Sequence, residues 1–98
     1  MSVFPDGFEW DEAKRAANLE KHAIDFVRAV EVFSMPRVER EDARRDWGES
    51  RSVAIGPVQD RIVTVVYTQR GPNRRIISAR RATIREREAY WQEVANEG

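Results

Sequence analysis

Apolar positions in this chain follow a helical period at the start and a strand period from the middle onward. Between Trp10 and His22, Asp11 is a good N-cap, and Glu12, Ala13, Ala16, Ala17 and Leu19 all suit a helix. At about 100° per residue, Ala13, Ala16, Ala17, Ala23 and Ile24 fall on one face. Lys14, Asn18 and Lys21 line the opposite face, which the two lysines mark as solvated. Asp25 reads as a second N-cap. Phe26, Ala29, Val30 and Phe33 then repeat as a core-facing stripe, and Pro36 ends that helix. Two short helices are expected, separated by a turn near Ala23 and Ile24.

From Val38 the alternation is that of strands. Val38–Asp42 is polar enough to be an edge, and Arg51–Gly56 is a strand stopped by Gly56-Pro57. Arg61–Gln69 carries the strongest β signal, a β-branched and aromatic run from Ile62 to Thr68. Gly71-Pro72-Asn73 makes a turn, and Arg74–Arg81 returns as an antiparallel partner. Strict alternation in that strand puts Arg75, Ile77, Ala79 and Arg81 on one face, and Arg74, Ile76, Ser78 and Arg80 on the other. Thr83 and Glu86 have capping-box spacing, so a third helix starts there and runs toward Ala95. Its apolar face, Ile84, Trp91, Val94 and Ala95, is thin. The expected class is α+β: two N-terminal helices, an antiparallel sheet of three to four strands and a C-terminal helix, forming one domain over residues 1–98.

Composition narrows the chemistry. There is no cysteine and only one histidine. Disulfides, thiolate chemistry and the common zinc sites are therefore excluded, no acids are spaced as ligands, and no metal or other cofactor is expected. No glycine-rich phosphate loop and no nucleophile elbow is present. No apolar run approaches the length of a membrane span, and no signal-peptide pattern opens the chain, so a cytoplasmic protein is expected.

The formal net charge is zero, but its distribution is uneven. Residues 1–34 hold four cations against seven acids, whereas residues 61–85 hold seven arginines and no acid. Such a segment attracts a polyanion, and guanidinium forks match phosphate oxygens. Arg80 and Arg81 stand just before the third helix, where a helix N-terminus also favours an anion. His22 can exchange protons near neutral pH, although a C-terminal helix residue also serves simply to bond the last carbonyls. Lys14 and Lys21 neighbour it on the helix. Tyr67 and Tyr90 can stack on a base or give a proton, and Trp10, Trp47 and Trp91 are more ordinary packing or interface residues.

The segments Phe8-Glu9-Trp10-Asp11-Glu12-Ala13-Lys14, Asn18, Lys21-His22, Phe26, Ala29 and Phe33 together resemble the opening of the BrnT toxin family. The later Arg51–Gly56, Val65–Thr68 and Arg75–Thr83 segments, with Glu86 and Tyr90, resemble its second half. The chain departs at Ala23, where the family usually has glycine, which alters the expected turn. The resemblance implies a RelE-like fold and the toxin of a type II toxin–antitoxin pair. It further implies a metal-independent endoribonuclease that arrests translation. The implied partners are an RNA substrate and a BrnA-type ribbon–helix–helix antitoxin, with operator DNA met only through that antitoxin. On this basis Arg80, Arg81, His22, Lys21 and Arg51 are the expected catalytic set, and Lys14, Tyr67, Arg75 and Tyr90 the expected RNA-binding set. A non-catalytic regulatory module working with a DNA-binding partner is the competing expectation, and a stand-alone RNA-binding protein a third.

Overall fold

The computed structural model describes residues 4–42 and 50–95. Trp47 lies outside the described residues, as does the Ala95 side chain. Strand β1 (Phe8–Trp10) is followed by helix α1 (Glu12–His22), a single helical turn α2 (Phe26–Ala29) and a 3-10 helix over Val30–Ser34. Strands β2 (Val38–Asp42), β3 (Arg51–Val58), β4 (Arg61–Arg70) and β5 (Asn73–Arg81) follow, and helix α3 (Ile84–Ala95) closes the chain. The strands form one five-stranded sheet in the order β1-β5-β4-β3-β2. Neighbouring strands are antiparallel except β1, which pairs in parallel with β5. The architecture is α+β as expected, but the sheet is mixed and has more strands than the alternation showed.

Both anticipated N-caps are present. Asp11 accepts hydrogen bonds from the Ala13 and Lys14 N–H groups, and Asp25 accepts one from Val27. After α2 the helix tightens to three residues per turn, so the buried stripe becomes Phe26, Ala29 and Val32 rather than the 3.6-period set through Val30 and Phe33. Val32 sits close over β3: a β-carbon at Gly56 would lie 2.7 Å from its Cγ2. Strand β3 runs on through Gly56-Pro57 to Val58 instead of stopping. Its pairing with β2 ends at Val38–Ile55, so Pro57 lies where β3 is an edge and a missing N–H is tolerated.

The main core lies between the sheet and the α1–α2 layer, where Trp10, Phe26, Ala29 and Val32 meet Ala54, Val63, Val65, Ile76 and Ala79. Across the sheet a smaller cluster of Val38, Ile55 and Tyr90 anchors α3, with Ile62 and Val94 packed beside it. The apolar face expected on α3 is met at Val94 but not at Ile84 and Trp91, and it includes Tyr90 instead. Tyr90 and Val94 point inward, while Ile84 and Trp91 are 65 % and 57 % exposed.

The turn after α1 is made by Ala23 itself, in the left-handed conformation at φ 60°, ψ 27°, with its N–H on the Leu19 carbonyl. An L-residue with a β-carbon resists this conformation by about 1–2 kcal/mol, whereas glycine adopts it freely. Ala23→Gly is expected to stabilise the protein by about 0.5–1 kcal/mol, the gain being trimmed by greater freedom of the unfolded chain. A thermal melt should show a midpoint a few degrees higher; an unchanged or lower midpoint refutes the strain.

Candidate functional site

Local chemistry places Lys14, Asn18, Lys21 and His22 on one side of α1, since residues four and seven apart share a face. Sequence reading gave that side to solvent and the alanine side to the core. Lys14 and Lys21 are exposed and Ile24 is buried as expected, but Ala13, Ala16 and Ala17 are exposed and Asn18 is buried at 7 % exposure. Alanine offers little surface to bury, whereas Asn18 finds a partner for each polar atom. Its Nδ2 donates to the Ile24 and Ala79 carbonyls at 2.9 and 2.8 Å, and its Oδ1 accepts from the Ala79 N–H at 3.1 Å.

Those bonds fall where β5 has lost its neighbour. Strand β1 accompanies β5 only through Ile76, so beyond it no strand among the described residues pairs the outer edge and Asn18 of α1 takes that place at Ala79. A β-bulge at the same place, between Val66/Tyr67 and the facing strand, skips Ile77 in the pairing. Ile76 and Ala79 therefore both enter the main core, three residues apart, and the alternation predicted for β5 changes phase. Ile77 and Ser78 are left to form one wall of a cleft of about 300 Å³, whose other wall is Lys14, Ala17, Asn18, Lys21 and His22. Three of the residues proposed from sequence are thus brought together, two ammonium groups and the only imidazole.

The remaining candidates are elsewhere. Past the bulge, Arg80 lies opposite Thr64 and Ile55 on the α3 side of the sheet. Its guanidinium forms a two-pronged pair with Glu86 at 2.7 and 3.0 Å. Glu86 also accepts from the Thr83 N–H and the Thr64 hydroxyl, and its own N–H donates to Thr83 Oγ1, which completes the expected capping box. Burial pushes the Glu86 carboxyl up, but the bonds from Arg80, Thr83 and Thr64 outweigh it and bring its pKa down to about 2. Arg80 and Glu86 help line a cleft of about 240 Å³ with Arg40, Glu41, Asp42, Val53 and Ile55. Arg51 is the register partner of Asp42 at the end of β3.

Arg75 is paired with Glu9 of β1 at 2.8 Å. The arginine-only segment is therefore partly neutralised by Glu9 and Glu86, acids that lie outside it in sequence. Arg74 covers Phe33, its guanidinium carbon 4.4 Å from the ring centroid. Tyr67 is 8 % exposed, edge-on to Phe33 and bonded through its hydroxyl to Glu39, and Tyr90 is buried on the opposite side of the sheet. Neither ring presents an open face on which a base could stack. Arg81 turns to a third cleft, with Asp60, Arg61, Ile62, Ala82 and Arg87.

The low pKa of Glu86 predicts a stability change with pH. An unfolded glutamate titrates near 4.5, so the paired carboxylate stabilises the fold fully above that pH and loses its contribution as pH falls toward 2. The effect is on the order of 2–3 kcal/mol after allowing for partial exposure. In urea melts, wild type should exceed Glu86→Gln at pH 7 and converge with it only as pH falls to about 2; a gap independent of pH refutes the pairing. Removing Arg80 strips the cation from the same carboxylate, so Arg80→Ala is expected to weaken the fold as well as any chemistry.

Among the described residues no three His, Cys, Asp or Glu side chains are grouped to hold a metal ion, and no helix is long and apolar enough to cross a membrane. The profile of a family described as ribonuclease toxin, BrnT, of type II toxin-antitoxin system matches residues 10–86, a span that includes both walls of the α1–β5 cleft. No curated protein matches the chain.

Proposed function

The chain belongs to the BrnT family of type II toxin–antitoxin ribonuclease toxins, and from that membership we propose that it cuts RNA internally, without a metal, at the cleft between α1 and the open edge of β5. The observation that carries this is the gathering of Lys14, Lys21 and His22 around one cleft beside the part of β5 that β1 leaves unpaired.

The reaction needs three things: a base for the 2′-hydroxyl, positive charge for the phosphorane and an acid for the departing oxygen. His22 takes the 2′-hydroxyl proton. The 2′-oxygen then forms a bond to phosphorus as the P–O5′ bond breaks, giving a 2′,3′-cyclic phosphate and a 5′-hydroxyl. Lys14 and Lys21 offset the charge that builds on the phosphoryl oxygens, and Lys21 supplies the proton to the 5′-oxygen. Arg80 holds α3 against the sheet through Glu86 and flanks the site, two residues along β5 from Ser78, about 7 Å by strand rise. Cleavage of cytoplasmic RNA in this way arrests translation, and a cognate antitoxin of the BrnA ribbon–helix–helix type neutralises it and carries the pair to operator DNA.

Expression of the chain alone should arrest growth, and co-expression of the neighbouring small antitoxin reading frame should relieve it. Purified protein should cut RNA in the presence of a chelator, and Lys21→Met should lower the rate while preserving the fold. Harmless expression of a folded chain that cuts no RNA would instead support a regulatory module working through its partner.

A further inference from the structure

Several arginines among the described residues have a close carboxylate partner. Arg15, Arg28, Arg37, Arg40, Arg75 and Arg80 each lie within 3.2 Å of one. The cleft at the far end of β5 is different. Arg61 from β4, Arg81 from β5 and Arg87 from α3 converge on a space of about 380 Å³ floored by Ile62 and Ala82. The floor is fixed, because the Ala82 N–H bonds the Ile62 carbonyl at 3.0 Å and prolongs the β4–β5 ladder. The one acid lining it is Asp60, whose side chain is 92 % exposed and only reaches within 4.0 Å of Arg61. Among the described residues Arg81 and Arg87 have no carboxylate partner. Three like charges brought together from three elements repel one another unless an anion sits between them.

We propose that Arg61, Arg81 and Arg87 form a phosphate-binding site for the backbone of the RNA strand that runs past the cleavage cleft. The inference rests on reading the chain as an RNA-cutting enzyme at the α1–β5 cleft. Position supports it: Ser78 lines that cleft and Arg81 this one, three residues and about 10 Å apart on one strand. So does chemistry. Guanidinium forks pair with phosphate oxygens in any sequence context, and no aromatic ring lines this cleft to read a base. An acidic protein segment would also be attracted, but a protein partner needs an apolar anchor at its centre, and the exposed Ile84 and Trp91 of α3 do not line this space.

The test is the Arg61→Gln/Arg87→Gln double variant, with Arg87→Gln alone as a milder second form, each checked for folding by circular dichroism. Binding is measured by fluorescence anisotropy over a salt series, using a single-stranded RNA of about twelve nucleotides made uncleavable by 2′-O-methylation. The double variant should bind about tenfold more weakly, with a salt slope smaller by roughly 0.7 for each phosphate that the variant no longer neutralises. Its cleavage of long RNA should show a raised KM and an unchanged kcat. Equal affinity and slope for wild type and variant overturn the site, and so does loss of antitoxin binding with RNA binding intact. If wild type binds RNA but does not cut it, the enzymatic reading fails while the salt series still decides the phosphate site.

Discussion

Asn18→Ala is expected to destabilise the protein by about 3–5 kcal/mol, because it leaves three buried backbone groups without partners at once. The Ala79 N–H, the Ala79 carbonyl and the Ile24 carbonyl all depend on this one side chain. Each buried polar group left unsatisfied costs about 1–3 kcal/mol, and water entering the gap recovers part of the sum. Against a total stability on the order of 5–15 kcal/mol, such a loss leaves a substantial unfolded fraction. Asn18→Asp should be at least as harmful, since a carboxylate accepts from Ala79 but cannot donate to either carbonyl. Urea unfolding followed by tryptophan fluorescence would register a lower midpoint with little change of slope. A loss below 1 kcal/mol for both variants would mean that the amide does not hold α1 to β5.

His22→Gln should lower RNA cleavage by about 10²–10⁴-fold, the range associated with losing a positioned acid–base group. Glutamine keeps polarity and approximate size but cannot take up a proton. His22 is the last residue of α1 and only half-buried, so the fold should survive and the thermal midpoint should move little. Because the lysines and the phosphate-binding arginines remain, RNA binding should be nearly unchanged, which places the loss in kcat rather than KM. Lys21→Met should produce a smaller loss that includes binding. A His22→Gln protein that cuts RNA at the normal rate would remove the α1–β5 cleft from consideration.

Local signals were legible in the sequence, and signals that depend on distant neighbours were not. Asp11 and Asp25 announce their helices, Val38–Asp42 is the polar edge strand it looks like, and Thr83 with Glu86 forms the capping box its spacing implies. Strand β1 went unseen because three residues carry no period, and its partner lies more than sixty residues away. The bulge at Ile77 arises from β5 meeting β4, so no count along β5 alone could find it. Asn18 looked solvated because an amide normally is; only the unpaired edge of β5 makes its burial favourable. The grouping of Lys14, Lys21 and His22 was visible as helical spacing, yet the side they face was not. The arginine count misled for a related reason: a window of sequence cannot include the acids that folding delivers from β1 and α3.

The two walls of the α1–β5 cleft are made at different times. Helix α1 is complete by His22, whereas Ile77 and Ser78 are translated after more than half of the chain has followed it. At about 5–20 residues per second, that interval lasts several seconds. Throughout it the nascent chain has the lysines and the imidazole but nothing for them to face. A product released early, short of β5, lacks both the opposite wall and the partner that fixes Asn18. If the α1–β5 cleft cuts RNA as proposed, a chain truncated before β5 should neither cut RNA nor arrest growth when expressed.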